Sequence, residues 1–166
     1  DLPLSVGYRD QLQPDAVIHM NGTRVVAEGK TLYEHTMDKK LLKRLLAFGK
    51  ERGIALGVTM ENGDYYTAPE EVERIDVLRW GETSRHFEDP MKLLELPVRT
   101  LAYIGGPDRV RELEEHFPEC KFFMFAGKTG ADVVENEASK AEGLKRLCEY
   151  YGMDLSQTVA FGDSLN

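Results

Sequence analysis

The stretch from Ser139 to Asn166, SKAEGLKRLCEYYGMDLSQTVAFGDSLN, constrains the fold more than any other part of the chain. Ser139 and Glu142 form an S-x-x-E capping box, which predicts a helix beginning there. Leu144, Leu147, Cys148 and Tyr151 then recur at helical spacing on one face, and Gly152 supplies a left-handed stop. Thr158 to Phe161 is a short apolar run of strand type, broken by Gly162-Asp163-Ser164. Open α/β sheets bind ligands beyond the carboxyl ends of their strands, so an acid on this loop stands at a ligand-binding position. Lys140 falls in the first helical turn, beside the positive end of the helix dipole. A cation there marks a place where an anion arrives.

The remaining chain reads as alternating helices and strands. Ala16 to Met20 is an apolar run expected to form a buried parallel strand. Asn21-Gly22 ends it, and by turn chemistry alone this pair reads as a hairpin turn into Thr23 to Ala27. Gly29 to His35 follows as a second short strand. Asp38 caps a helix running to Arg52, with Leu41, Leu42, Leu45 and Leu46 on its inner face. Ile54 to Met60 and Tyr65 to Ala68 read as two strands joined by a turn at 61–64. Pro69 opens a further helix with an apolar stripe of Val72, Ile75 and Leu78. Gly81 to Pro97 is the least regular part, with a short helix around Met91 to Leu96. Val98 to Ile104, Cys120 to Phe125 and Ala131 to Glu135 are strands, and Val110, Leu113 and Phe117 mark a helix between the first two. Alternation with hairpins predicts an α/β unit with a mixed or antiparallel sheet and helices on one face.

Charge and cysteine usage narrow the function classes. A net charge of −8 opposes binding to a nucleic-acid backbone, which needs a basic footprint. No run is long and apolar enough for a membrane helix, and no secretory signal pattern opens the chain. Cys120 and Cys148 have no zinc-type spacing and fall within apolar patterns, which reads as core packing in a reducing compartment. The expected location is the cytoplasm. Gly127-Lys128-Thr129 is like the end of a phosphate-binding loop, but Phe122 occupies the required upstream glycine position. His19, His35, His86 and His116 are dispersed, and Tyr65, Tyr66 and Trp80 read as core packing before a sugar pocket.

Lys140 opening a helix, followed by Val159-Ala160-Phe161-Gly162-Asp163-Ser164-Leu165-Asn166, resembles the haloacid dehalogenase superfamily. The likeness is closest to its Cof-type phosphatases, which carry a lysine and then a GD-x-x-ND loop. In that group an Asn-Gly pair also follows the core strand from which a cap is inserted, as Asn21-Gly22 does here. The resemblance implies a Rossmann-like core at 1–27 and 137–166, and an inserted α/β cap at 28–136 that sets specificity. It implies a Mg²⁺-dependent phosphatase acting on a small phosphorylated metabolite: a sugar, nucleotide or cofactor phosphate.

By position alone, Asp163 is a solvated turn acid and Lys140 a surface lysine. The resemblance gives Asp163 to the metal, Lys140 to charge shielding in catalysis, and Asn166, Asn21 and Gly22 to the substrate. The family's nucleophile motif D-x-D-x-T is missing, since no two aspartates stand two apart, and the second acid after Asn166 is also missing. The expectation is therefore a fragment that is inactive alone, its nucleophile lying elsewhere in a larger enzyme. A sugar phosphomutase and a catalytically inactive binding module are the alternatives.

Overall fold

The computed structural model describes Gly7 and residues 10–161. Its described residues divide into two compact units, residues 10–35 with 137–161 and residues 36–136.

The flanking unit is built on a three-stranded antiparallel sheet in chain order: β1 (Ala16–His19), β2 (Arg24–Ala27) and β3 (Lys30–Glu34). β1 pairs antiparallel to β2, from Ala16↔Ala27 to His19↔Arg24, so the parallel pairing expected for this run is corrected. The cause is local. Met20 and Asn21 adopt left-handed φ values of 48° and 56°, and the tight 3-10 turn Met20–Gly22 folds the chain straight back. Thr23, fully buried, closes this turn by donating from Oγ1 to the Met20 carbonyl at 3.0 Å. β3 belongs with this sheet through its ladder to β2, and the next compact unit begins at Thr36.

The helix α1 (Lys140–Tyr151) packs on the hairpin. The Arg146 guanidinium lies 3.7 Å from the Tyr33 ring centroid, and the Tyr150 hydroxyl donates to Glu28 at 3.1 Å. Of the apolar face expected for α1, Cys148 is buried and Tyr151 remains exposed. Beyond Gly152, a single 3-10 turn at Leu155–Gln157 leads into residues 158–161, where a strand was expected. Among the described residues no strand pairs with this segment, and Val159 and Phe161 are 79% and 96% exposed. A strand exists only through its ladder, so apolar composition alone does not make one.

The middle unit holds a five-stranded antiparallel sheet in the order β5-β4-β6-β8-β7. Its strands are β4 (Ala55–Met60), β5 (Gly63–Tyr66), β6 (Leu101–Ile104), β7 (Cys120–Met124) and β8 (Gly130–Glu135). Its helices are α2 (Lys39–Arg52), α3 (Pro69–Trp80) and α4 (Asp108–His116). Asp38 caps α2 as expected, its carboxylate accepting from the N–H groups of Lys40 and Leu41. Pairing of Met60 with Gly63 makes the β4–β5 turn two residues long, so β5 starts and ends earlier than the apolar pattern suggested.

Alternation along the strands splits the core in two. Leu56, Tyr65, Leu101, Tyr103, Ala131 and Val133 face the leucines of α2 together with Val110 and Leu113 of α4. Ala55, Tyr66 and Ile104 pack instead with Val72 and Ile75 of α3. Helices on one face therefore describes α2 and α4, while α3 serves the smaller cluster. The expected stripe on α3 is corrected at its third member: Leu78 is 69% exposed, and Asp76 is buried in its place. Residues 72, 75 and 76 follow the i, i+3, i+4 rule, and 78 has rotated off that face.

A buried carboxylate needs a partner, and the irregular segment after α3 supplies it. Arg85 donates to Asp76 through Nε at 2.6 Å and Nη2 at 3.1 Å, and through Nη1 to Asp64 at 2.9 Å. Residues 86–88 then run beside β5, with Asp64 N–H donating to the His86 carbonyl at 2.7 Å and Glu88 N–H to the Asp64 carbonyl at 3.0 Å. Phe87 packs on the smaller cluster, and Leu93 of the 3-10 helix Pro90–Glu95 is fully buried. Burial by itself would raise the Asp64 carboxyl, but hydrogen bonds from Thr59, the His86 N–H and Arg85 outweigh it and hold it below the usual range.

Replacing Arg85 with Met leaves two buried carboxylates without their partner and should cost about 2–3 kcal/mol in denaturant unfolding at neutral pH. Because the folded Asp64 carboxyl is depressed, its stabilisation is present above the unfolded value of about 3.9 and lost as pH falls through the folded one. The difference between Arg85→Met and the parent should accordingly shrink below about pH 4, as read from urea midpoints across that range.

Candidate functional site

Two of the sequence-predicted segments meet in the flanking unit. Gly22, at φ 96°, lies so close to Ser139 that a Cβ at this position would overlap the Ser139 carbonyl and its carbon. Only glycine meets both demands, a left-handed backbone and backbone-to-backbone approach. The contact sets the 3-10 turn that carries Asn21 against the residue that caps α1. Farther along the helix Gly143 repeats the device, since a Cβ there would stand 2.8 Å from Ile18 Cγ2 of β1. Turn and helix thus share one packed surface, although well over a hundred residues of sequence separate them.

The helix starts where its sequence predicts, with Ser139 as its cap. Ser139 is buried, its backbone is extended, and its Oγ accepts from the Glu142 N–H at 3.1 Å. The Ser139 carbonyl takes the Gly143 N–H at 2.9 Å, opening the helical ladder. The N–H groups of Lys140 and Ala141 are left for an acceptor from outside the helix. Lys140 is exposed at the first helical position, while Glu142 is held by Lys145 at 2.6 Å. Two outward N–H groups, the positive end of the dipole and an ammonium make a favourable environment for an oxyanion. Asn21 is half-buried on the adjoining turn.

The structure therefore brings Asn21, Gly22 and Lys140 into one neighbourhood. Asp163 and Asn166, with the rest of the GDSLN string, lie outside the described residues. Ser139 was legible only as a cap; its part in seating Gly22 had no signal in the sequence, because a close approach between remote segments leaves no spacing to read. His19, Asn21 and His35 all have interactions of their own in the structure.

The haloacid dehalogenase-like hydrolase family pattern matches residues 5–166. The chain belongs to that family. Among curated proteins it is similar to YkrA of Bacillus subtilis (strain 168), which bears a phosphatase name: 26% identical over 162 residues, covering 95% of this chain and 60% of YkrA. It is also 22% identical over 151 residues to the HMP-PP phosphatase of Klebsiella pneumoniae (strain 342), covering 88% of this chain and 55% of that protein. The chain thus spans somewhat over half the length of these relatives.

Similar solved structures share the fold. One is the subclass IIB sugar phosphatase BT4131, with a TM-score of 0.71 at 18% identity, covering 92% of this chain and 58% of that one. Another is BT1666 from Bacteroides thetaiotaomicron, described among phosphatases of the same superfamily, with a TM-score of 0.76 at 18% identity and coverage of 89% and 56%.

Replacing Gly22 with Ala should destabilise the flanking unit by about 1–3 kcal/mol, since the new methyl meets both the strained backbone and the Ser139 carbonyl. Ser139→Ala, which only removes the cap, should cost about 1 kcal/mol. Equilibrium unfolding followed by circular dichroism ranks the two, and a harmless Gly22→Ala would show that the close approach is not needed.

Proposed function

We propose that this chain is the cap-bearing part of a Mg²⁺-dependent phosphatase that hydrolyses small phosphate monoesters: sugar, nucleotide or cofactor phosphates. The observation that carries the proposal is the approach of Gly22 to Ser139, which gathers the Asn-Gly pair and Lys140 at a helix start suited to an oxyanion. Family membership and relatives with phosphatase names support the same reading. In it, the unit over 36–136 is the inserted cap, and the flanking segments belong to a Rossmann-like core.

Each residue then has a task that its chemistry can perform. The Lys140 ammonium would offset the negative charge that phosphate brings against a carboxylate nucleophile. The backbone N–H groups at the start of α1 orient phosphoryl oxygens. Asn21 and Asn166 offer amide groups that donate to substrate oxygens, and Gly22 keeps the turn close enough for Asn21 to take part. Asp163 is a hard oxygen donor of the kind Mg²⁺ takes, and the ion when bound would neutralise charge on the transferring phosphoryl group. The nucleophile in this reading is an aspartate outside these 166 residues, which attacks phosphorus, displaces the ester's alcohol by breaking its P–O bond, and forms an aspartyl-phosphate that water cleaves to free phosphate. A sugar phosphomutase, which would return the phosphoryl group to another hydroxyl, uses the same residues. An inactive binding module would use them only to hold phosphate.

The 166-residue chain alone should show no Mg²⁺-dependent release of phosphate from an aryl phosphate. A complete parent carrying an Asp-x-Asp should release it and stop on chelation. In that parent, Lys140→Ala should lower kcat by about 10²-fold or more. Asp163→Asn should raise the Mg²⁺ concentration needed for half-maximal rate. Near-normal turnover in both variants would overturn the assignment, and isomerised phosphosugar without free phosphate would identify a mutase.

A further inference from the structure

The middle unit contains a cleft for which the phosphatase reading has no use. It encloses about 410 Å³, within the range of small-molecule sites, and opens beside α3. Thr59 and Asp64 of the β4–β5 hairpin form one wall, Asp76 and Trp80 of α3 another, and residues 82–85 the third.

The polar groups divide into those already satisfied and those left over. Arg85 spends its donors on the protein itself: Asp76 twice, Asp64, and Thr59 Oγ1 at 2.9 Å. Asp64 is held further by Thr59 Oγ1 at 2.7 Å and by the His86 N–H at 3.0 Å. This network fixes the walls and keeps the guanidinium from an incoming anion. Glu82 and Ser84 are exposed at the cleft and make no hydrogen bond or ion pair among the described residues. Trp80 is 58% exposed, with Arg79 positioned over its ring at 4.5 Å.

The charges lining the cleft are the carboxylates of Asp64, Asp76 and Glu82 against the single guanidinium of Arg85. The balance is negative, and the carboxylate without a partner is the accessible one. Such a cleft disfavours anions and favours a cation small enough to reach Glu82 beside the Trp80 indole.

We propose that this cleft binds a small metabolite through a protonated amine, with Glu82 as counter-ion, Ser84 as hydrogen-bond partner and Trp80 as the apolar wall. The proposal stands apart from the phosphatase reading, because it draws only on residues 59–85 of the middle unit. It asks for an ammonium group on a compact polar body, as in an amino sugar. The satisfied network explains how the cleft is held open without a ligand, since none of its buried charges depends on one.

Trp80 is the only tryptophan in the chain, so its fluorescence reports on this cleft alone. The whole chain is titrated with glucosamine, and with glucose as the neutral counterpart, at a pH where the amine is protonated. The expected result is a saturable change with glucosamine and about two- to fivefold weaker binding of glucose, the size expected of an exposed ion pair. Glu82→Gln, an exposed change that leaves the circular dichroism as it was, should remove that preference. Added salt should weaken glucosamine and leave glucose unaffected. Equal responses to the two sugars, a flat glucosamine titration, or an unchanged preference in Glu82→Gln would each overturn the proposal.

Discussion

The flanking unit depends on one contact, the backbone of Gly22 pressed on the backbone of Ser139. Without it, a short three-stranded sheet and a twelve-residue helix would be two marginal pieces, each too small to persist in water. With it, the Asn-Gly turn, the helix cap and the Gly143–Ile18 approach lie along one seam, joined by the Arg146–Tyr33 and Tyr150–Glu28 contacts. The oxyanion-favouring helix start is a by-product of this seam. The cap that stabilises the helix consumes one of its free N–H groups, and two others stay available next to Lys140.

The middle unit solves a different problem. Its larger cluster is apolar and follows from leucines at helical spacing on α2 and alternating side chains on the strands. Its smaller cluster is edged by two buried acids, and burying acids is unfavourable unless each is paired. One arginine from an irregular segment answers both. That same ion network, with the backbone bonds beside β5, ties residues 85–88 to the sheet. The network also shapes a cleft with a negative lining.

Much of this was legible before the structure. The caps at Asp38 and Ser139, the glycine stop at Gly152 and the inner leucines of α2 are where periodicity and turn chemistry put them. The departures have separate physical causes. Residues 158–161 have strand composition but no ladder among the described residues. The apolar run at Ala16–His19 predicts a parallel strand, and the turn after it makes the pairing antiparallel. On α3, the stripe expected through Leu78 passes through Asp76 instead, because its partner, Arg85, lies in a segment with no period at all. An acid at i+4 from Val72, inside an apolar stripe, was the one available hint.

By itself the sequence determined the elements, their caps and the family, because these rest on local spacing: side chains three or four apart on a helix, two apart on a strand, and glycines at left-handed stops. It also named Lys140, Asn21 and Gly22 as belonging to one site, through resemblance and not through distance. Only the tertiary structure decided that Gly22 is seated on Ser139, and that Arg85 joins Asp64 to Asp76. Both are contacts between segments with no fixed separation along the chain. Local pattern carries no information about which remote backbone will come within van der Waals reach, or which charge will be left without water; packing settles that, once the elements have somewhere to go.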